Sequence, residues 1–220
     1  MKLNEILQIQ ETVEENQILN LVVRRVVNKI VSIIKSDKTW KTAFFSSSMF
    51  SDYDRLTMFG VKLSSLNLPK TNNKIVDQFL SKINVQVTTS EADDATYSSM
   101  ADFDLGNSEI RLHMSNIIKY CLKHGKNAIN VIESSLIHEL QHAMDEVKSS
   151  GKAFNVPNVQ AGGNDTSKYE AYLKLPYEVN ARFAQALLDI QGMIDARIDV
   201  RTAITKALKN YQLDELTPKI

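Results

Sequence analysis

The stretch His138-Glu139-Leu140-Gln141-His142 decides how this sequence is interpreted. Its two histidines are four residues apart, so on a helix they share one face and can converge on one metal ion. Glu139 lies about 100° further round the helix, near such an ion but off the ligand axis. From there its carboxylate can take a proton from water that the ion activates. The pattern therefore predicts a metal site on a helix, with Glu139 as general base.

The residues around this motif predict the helix itself. No glycine or proline interrupts residues 126–149, and Gly151 follows at a position typical of helix ends. Several apolar side chains form one stripe along this helix: Ile129, Ile132, Leu136, Leu140, Ala143 and Val147. His138 and His142 fall nearly opposite that stripe. We therefore expect the two histidines to face a cleft rather than the core.

A catalytic zinc site needs a third protein ligand and leaves its fourth position to water. Glu178 is the first candidate, because it follows Pro176 and opens a predicted helix that can cross the first one. An acidic residue in a first turn also complements the helix dipole, which is the alternative role for Glu178. Glu170 is the second candidate, and the remaining ones are His113 and His124.

Other polar residues are candidates for supporting roles. Asp145 lies on the histidine face, one turn beyond His142, where we expect it to hold a histidine nitrogen rather than the ion. Attack of metal-activated water on a carbonyl group also requires a hydrogen-bond donor for the oxyanion that forms. By position, the candidate donors are Tyr169, Tyr172, Tyr177 and Arg182.

The motif and the glutamate downstream of it resemble the zincin superfamily of metallopeptidases, in the type whose third ligand is a glutamate. The stretch that begins at Glu178, EVNARFAQALL, is similar to the corresponding helix of ImmA/IrrE-like metallopeptidases of mobile elements. The resemblance covers residues 83–190. It implies one zinc ion per chain, with His138, His142 and Glu178 as metal ligands.

The resemblance also implies a mechanism and a way of binding substrate. Zinc would polarise the scissile carbonyl and activate water, and Glu139 would pass the proton of that water to the leaving amine. In zincins the strand that borders the cleft pairs with extended substrate, and residues 109–114 would take that part here. Plain support of the core is the alternative role of this strand.

The sequence on either side of the motif predicts an α+β fold. A small antiparallel or mixed sheet packs on the motif helix, with additional helices at both ends of the chain. The predicted helices are residues 4–35, a stretch capped by Asp37 and Thr39 that reaches Phe45, residues 73–82, 126–149 and 176–210. Alternation predicts strands at 83–88, 97–104 and 109–114, and composition predicts a loop at 151–168. The predicted domains are an N-terminal helical region, 1–72, and a zincin-like domain, 73–220, which can form one compact unit.

Charge and composition narrow the possible partners. The chain has 26 Lys and Arg against 26 Asp and Glu, and this balance argues against direct binding of nucleic acid. Cys121 is the single cysteine, so no internal disulfide can form. No signal-peptide core or membrane span is recognisable. We expect a protein of viral or bacterial origin that is cytoplasmic or carried within a virion. Its expected partner is a peptide or protein substrate, and not a membrane.

Two classes of function follow from these observations. The first is a zinc-dependent peptidase that uses His138, Glu139, His142 and a nearby carboxylate. The second is a structural or interaction protein on the same scaffold, of viral or mobile-element type, that has no turnover. The long apolar N-terminal helix motivates the second class, because a catalytic core does not require it.

Overall fold

The computed structural model describes residues 3–45, 58–68, 70, 74–89, 100–104, 106–149 and 171–213, without the side chains of 3–15, 42–45 and 75. The predicted loop at 151–168, the candidates Tyr169 and Glu170, and residues 97–99 of a predicted strand lie outside these ranges. Within the described residues the fold is α+β, mostly helical with a small mixed four-stranded sheet. The predicted fold class is confirmed at this level.

The two N-terminal helices form as predicted. Helix α1 spans Leu3–Ser36, and its β-branched residues Val22, Val26 and Ile30 are fully buried, because packing outweighs their low helix propensity. Helix α2 spans Lys38–Phe45. The carboxylate of Asp37 accepts the backbone N–H groups of Thr39 and Trp40 at 2.8 and 3.0 Å, which makes Asp37 the N-cap.

The sheet contains four strands in the order β1-β2-β4-β3. They are β1, Phe59–Lys62; β2, Asn84–Thr88; β3, Ala101–Asp104; and β4, Glu109–His113. Strands β2 and β4 are parallel and the other two pairs are antiparallel, so the mixed alternative is confirmed and the antiparallel one is wrong. Strand β1 was not predicted. The register sets Val85 beside Ile110 and Val87 beside Leu112, and all four are fully buried.

Strand β4 cannot pair with a substrate strand. It is hydrogen-bonded to β2 on one side and to β3 on the other, so both of its edges are already taken. The expected pairing of residues 109–114 with substrate is therefore wrong. The alternative role is confirmed, because Ile110 and Leu112 support the core. In the sheet as described, the edge strands are β1 and β3.

Helix α3, Lys74–Leu80, confirms the helix predicted at 73–82. Helix α4, Met114–His124, follows β4 directly and was not predicted. Its buried apolar residues recur at helical spacing: Met114, Ile117, Ile118 and Cys121. The helix ends at Gly125, whose φ of 62° lies in the left-handed region that favours glycine. Met114 therefore belongs to this helix and not to the strand predicted at 109–114.

Helix α5, Ala128–Lys148, confirms the predicted motif helix. The side-chain oxygen of Asn127 accepts the backbone N–H of Ile129 at 2.8 Å and caps the helix start. Ile132, Leu136 and Leu140 of the predicted apolar stripe are fully buried. The described residues fall into two compact units, one within 21–139 and the other within 1–20 and 140–220. A domain boundary near residue 72 stays a prediction.

The C-terminal region, predicted as one helical stretch, consists of two helices. Helix α6 spans Pro176–Asp195 and α7 spans Val200–Asn210. The Asp199 carboxylate caps α7 by accepting the Thr202 N–H at 2.9 Å. Hydrogen bonds from the side chain and then the backbone of Thr202 lower the pKa of Asp199. The two helices meet at a buried cluster of Ala186, Ala207 and Leu213. No helix among the described residues is long and apolar enough to cross a membrane.

Candidate metal centre

The two histidines of the motif stand one turn apart on α5. His138 is half-buried, whereas His142 is 7% exposed. Ile137 and Met144 are buried as well, so α5 buries more of its circumference than the predicted stripe. His142 therefore lies in a closed environment and not in the open cleft that its helix phase suggested.

Glu178 lies in the first turn of α6, after Pro176, and is 2% exposed. Its Oε1 is 3.2 Å from Nε2 of His142, and the hydroxyl of Tyr172 donates a hydrogen bond to the same oxygen. A role limited to the helix dipole does not need this burial, because a carboxylate at a solvated helix start serves the dipole equally well. Glu178 is instead held against His142.

His138, His142 and Glu178 each offer one ligand atom, and these atoms lie within 4.8 Å of one another. Ligands at the usual zinc distances of about 2.0–2.1 Å in a tetrahedral site are about 3.4 Å apart. The 3.2 Å between His142 and Glu178 matches this value, and the ligand atom of His138 lies within 4.8 Å of both. Two imidazoles and one carboxylate are also a donor set of catalytic zinc. The three residues therefore fit a divalent metal ion.

Comparison with known proteins assigns the chain to no family. No family model, no curated protein and no solved structure matches the chain. The interpretation of the cluster therefore depends on its own atoms and on the spacing of the motif.

Two of the predicted tyrosines lie beside the cluster. The ring of Tyr177 meets that of His142 edge-on, with centroids 5.6 Å apart, and restricts its rotation. Burial and the nearby charge of Glu178 raise the pKa of Tyr177. The described bond of Tyr172 goes to Glu178, so this hydroxyl orients a candidate ligand. A donor role toward an oxyanion stays a prediction for both tyrosines.

The described contacts of Asp145 differ from its expected role. Its carboxylate accepts hydrogen bonds from the side-chain amides of Gln141 at 2.8 Å and Asn180 at 3.0 Å. These bonds connect α5 to α6. A bond from Asp145 to a histidine stays a prediction, and the described contacts give it no support.

The remaining histidine candidates lie in other local settings. His113 is buried in β4, where its Nε2 lies 2.6 Å from Oδ2 of Asp102. His124 is exposed at the end of α4, where its ring packs 4.5 Å from that of Tyr120. Neither histidine belongs to the described cluster of three ligand candidates.

One buried carboxylate near the site was not predicted. Glu146, one turn beyond His142 on α5, is 4% exposed. The signal was present in the sequence, because His138, His142 and Glu146 repeat every four residues along the helix. Burial, which the sequence does not display, distinguishes Glu146 from its neighbour Asp145.

The Arg182 side chain hydrogen-bonds to backbone carbonyl groups. Its guanidinium is buried and donates to the carbonyl oxygens of Tyr211, at 2.8 Å, and Leu173. Each buried carbonyl that loses its donor costs about 1–3 kcal/mol. We therefore expect Arg182→Met to lower the free energy of unfolding by at least that amount in urea denaturation.

The exposed arginine of α7 provides the control for this measurement. Arg201→Met is expected to change the free energy of unfolding by less than about 0.5 kcal/mol. An Arg182→Met variant with unchanged stability but reduced hydrolysis would return Arg182 to the list of oxyanion donors.

Proposed function

We propose that the chain is a zinc-dependent metallopeptidase, which cleaves a peptide bond with Glu139 as general base. The convergence of His138, His142 and Glu178, with ligand atoms within 4.8 Å of one another, carries the proposal. Two of these residues are the histidines of the motif. The third, Glu178, is the carboxylate ligand that the spacing of the motif alone could not identify. One zinc ion per chain is proposed because this donor set is typical of zinc enzymes.

The chain's own residues divide the work as follows. His138, His142 and Glu178 would hold the ion, and Tyr172 orients the Glu178 carboxylate. When bound, zinc polarises a carbonyl group and makes water more acidic. The Glu139 carboxylate takes the proton from water and gives it to the leaving amine. Its place beside His138, off the ligand face, puts Glu139 next to the ion rather than among its ligands.

The finer fold and the cellular setting are part of the same proposal. A zincin-like arrangement is supported by the chain order, in which the sheet precedes the motif helix and a helix with a glutamate in its first turn follows. The zero formal net charge supports a peptide or protein as partner rather than nucleic acid. We propose a cytoplasmic location, or one within a virion, and no membrane partner.

One observation favours a second candidate function, a structural or interaction protein without turnover. Glu178 and His142 are only 2% and 7% exposed, whereas a catalytic ion must be reached by water and substrate. In this alternative the ion stabilises the contact between α5 and α6 and no substrate reaches it.

A peptide library discriminates between the two candidates. The full-length protein, loaded with zinc, is incubated with the library and the products are identified by mass spectrometry. The peptidase proposal predicts cleavage at a recurring sequence, its loss with a chelator, and its recovery when zinc is added back. Bound zinc without cleavage of any peptide would favour the structural alternative instead.

A further inference from the structure

The unexplained group nearest to the site on the same helix is the carboxylate of Glu146. Its side chain is 4% exposed, and Oε2 has no hydrogen-bond partner among the described residues. A buried carboxylate is costly unless a hydrogen-bond donor or a positive charge compensates it. The position of Glu146 on α5 indicates which group can do so.

Helix geometry directs Glu146 toward His142. Residues four apart lie on one face, with Cβ atoms about 5–6 Å apart. Side chains on a helix lean toward its N-terminus, so the turn that carries His142 is within reach of the Glu146 carboxylate. His138 is a further turn away, about 12 Å along the axis from Glu146. Glu146 therefore cannot share an ion with His138, which agrees with its absence from the cluster of ligand atoms.

The ring of His142 has one nitrogen for the site and one for a supporting group. Nε2 lies 3.2 Å from the Glu178 carboxylate, whereas Nδ1 is buried and is not hydrogen-bonded to Glu146 in the structure as described. A metal-binding imidazole donates its second N–H to a carboxylate, a carbonyl or water in nearly all known sites, which fixes its tautomer and orientation. Asp145, the residue expected in this role, is bonded to two amides.

We infer that Glu146 is a positioning residue for His142. When zinc is bound, the Glu146 carboxylate would accept the Nδ1 proton, keep Nε2 as the metal-binding nitrogen, and place a buried negative charge beside the cation site. The inference rests on the proposed function, because it assigns Glu146 to a site that binds zinc. The carboxylate does not touch the ion, so its effect passes through His142.

Zinc affinity of the full-length protein, measured by competition with a chelator of known affinity, tests this role. Glu146→Met is expected to weaken zinc binding by about 10- to 100-fold, the usual effect of losing such a partner. Glu146→Gln keeps the side-chain shape and one acceptor oxygen, so its loss is expected to be smaller. The visible spectrum of the cobalt-substituted protein should shift in the same order, because it reports the geometry of the ligands.

A second glutamate on α5 provides the matched control. Glu133 is partly buried and lies outside the cluster, so Glu133→Gln should leave zinc affinity and the cobalt spectrum unchanged. A purely structural role for Glu146 predicts altered stability of the metal-free protein with wild-type zinc affinity, and that result would overturn the inference. If the wild-type protein itself binds no zinc, the proposed function fails and the inference fails with it.

Discussion

Replacing Glu139 by glutamine is expected to abolish hydrolysis and to leave the zinc content unchanged. The amide has the size of the carboxylate but cannot accept a proton, and Glu139 is not one of the three ligand candidates. Loss of a general base costs about 10²- to 10⁴-fold in rate. The measurement is kcat on the best library peptide, together with elemental analysis of the same sample.

The control for Glu139→Gln is the same change elsewhere on the helix. Glu133→Gln removes a partly buried carboxylate from α5 two turns earlier, and we expect it to retain wild-type kcat. A Glu139→Gln enzyme that keeps its activity would exclude Glu139 as the base. A variant that loses zinc together with activity would make Glu139 a ligand instead.

Replacing Glu178 by glutamine should cost most of the zinc affinity. The change removes the only charged ligand of the cluster and keeps its volume, so the fold is preserved while the donor set is weakened. We expect the dissociation constant for zinc to rise by at least about 100-fold, the upper end of what supporting residues cost. Chelator competition measures this change directly.

Glu170→Gln separates the two carboxylates that the sequence offered for this position. It should bind zinc as tightly as the wild-type protein if Glu178 is the ligand. The reverse pattern, with zinc lost from Glu170→Gln and retained by Glu178→Gln, would move the third ligand to residue 170 and contradict our assignment.

How much of the site could be predicted depends on how local each part is. The relation of His138 to His142 follows from helix periodicity alone, so four residues of spacing were enough. Glu178 is 36 residues beyond His142, and its proximity depends on how α6 meets α5. The sequence could propose this residue from its place at a helix start, but it could not exclude Glu170.

The errors in the predicted fold also have physical causes. Alternation predicted β2 and β4 as strands but not their parallel pairing, because alternation carries no information on strand direction. Strand β1 has only four residues, Phe59–Lys62, too few for a periodic signal. Helix α4 has such a signal. It follows β4 without a turn, however, so the sequence does not mark where the strand ends and the helix begins.

The supporting residues were the least predictable part of the site. Asp145 and Glu146 are adjacent acids, and both lie on the histidine side of α5 by helix phase. The structure separates them, because Asp145 is bonded to amides whereas Glu146 is buried. Such a difference depends on the neighbouring helices, which no local pattern describes.

Anomalous diffraction at the zinc edge, from crystals grown with zinc, tests the central claim most directly. The account predicts one strong anomalous peak per chain, within about 2.0–2.2 Å of a nitrogen of His138, a nitrogen of His142 and an oxygen of Glu178. A crystal that shows no peak at these three side chains, although zinc is present, would contradict it.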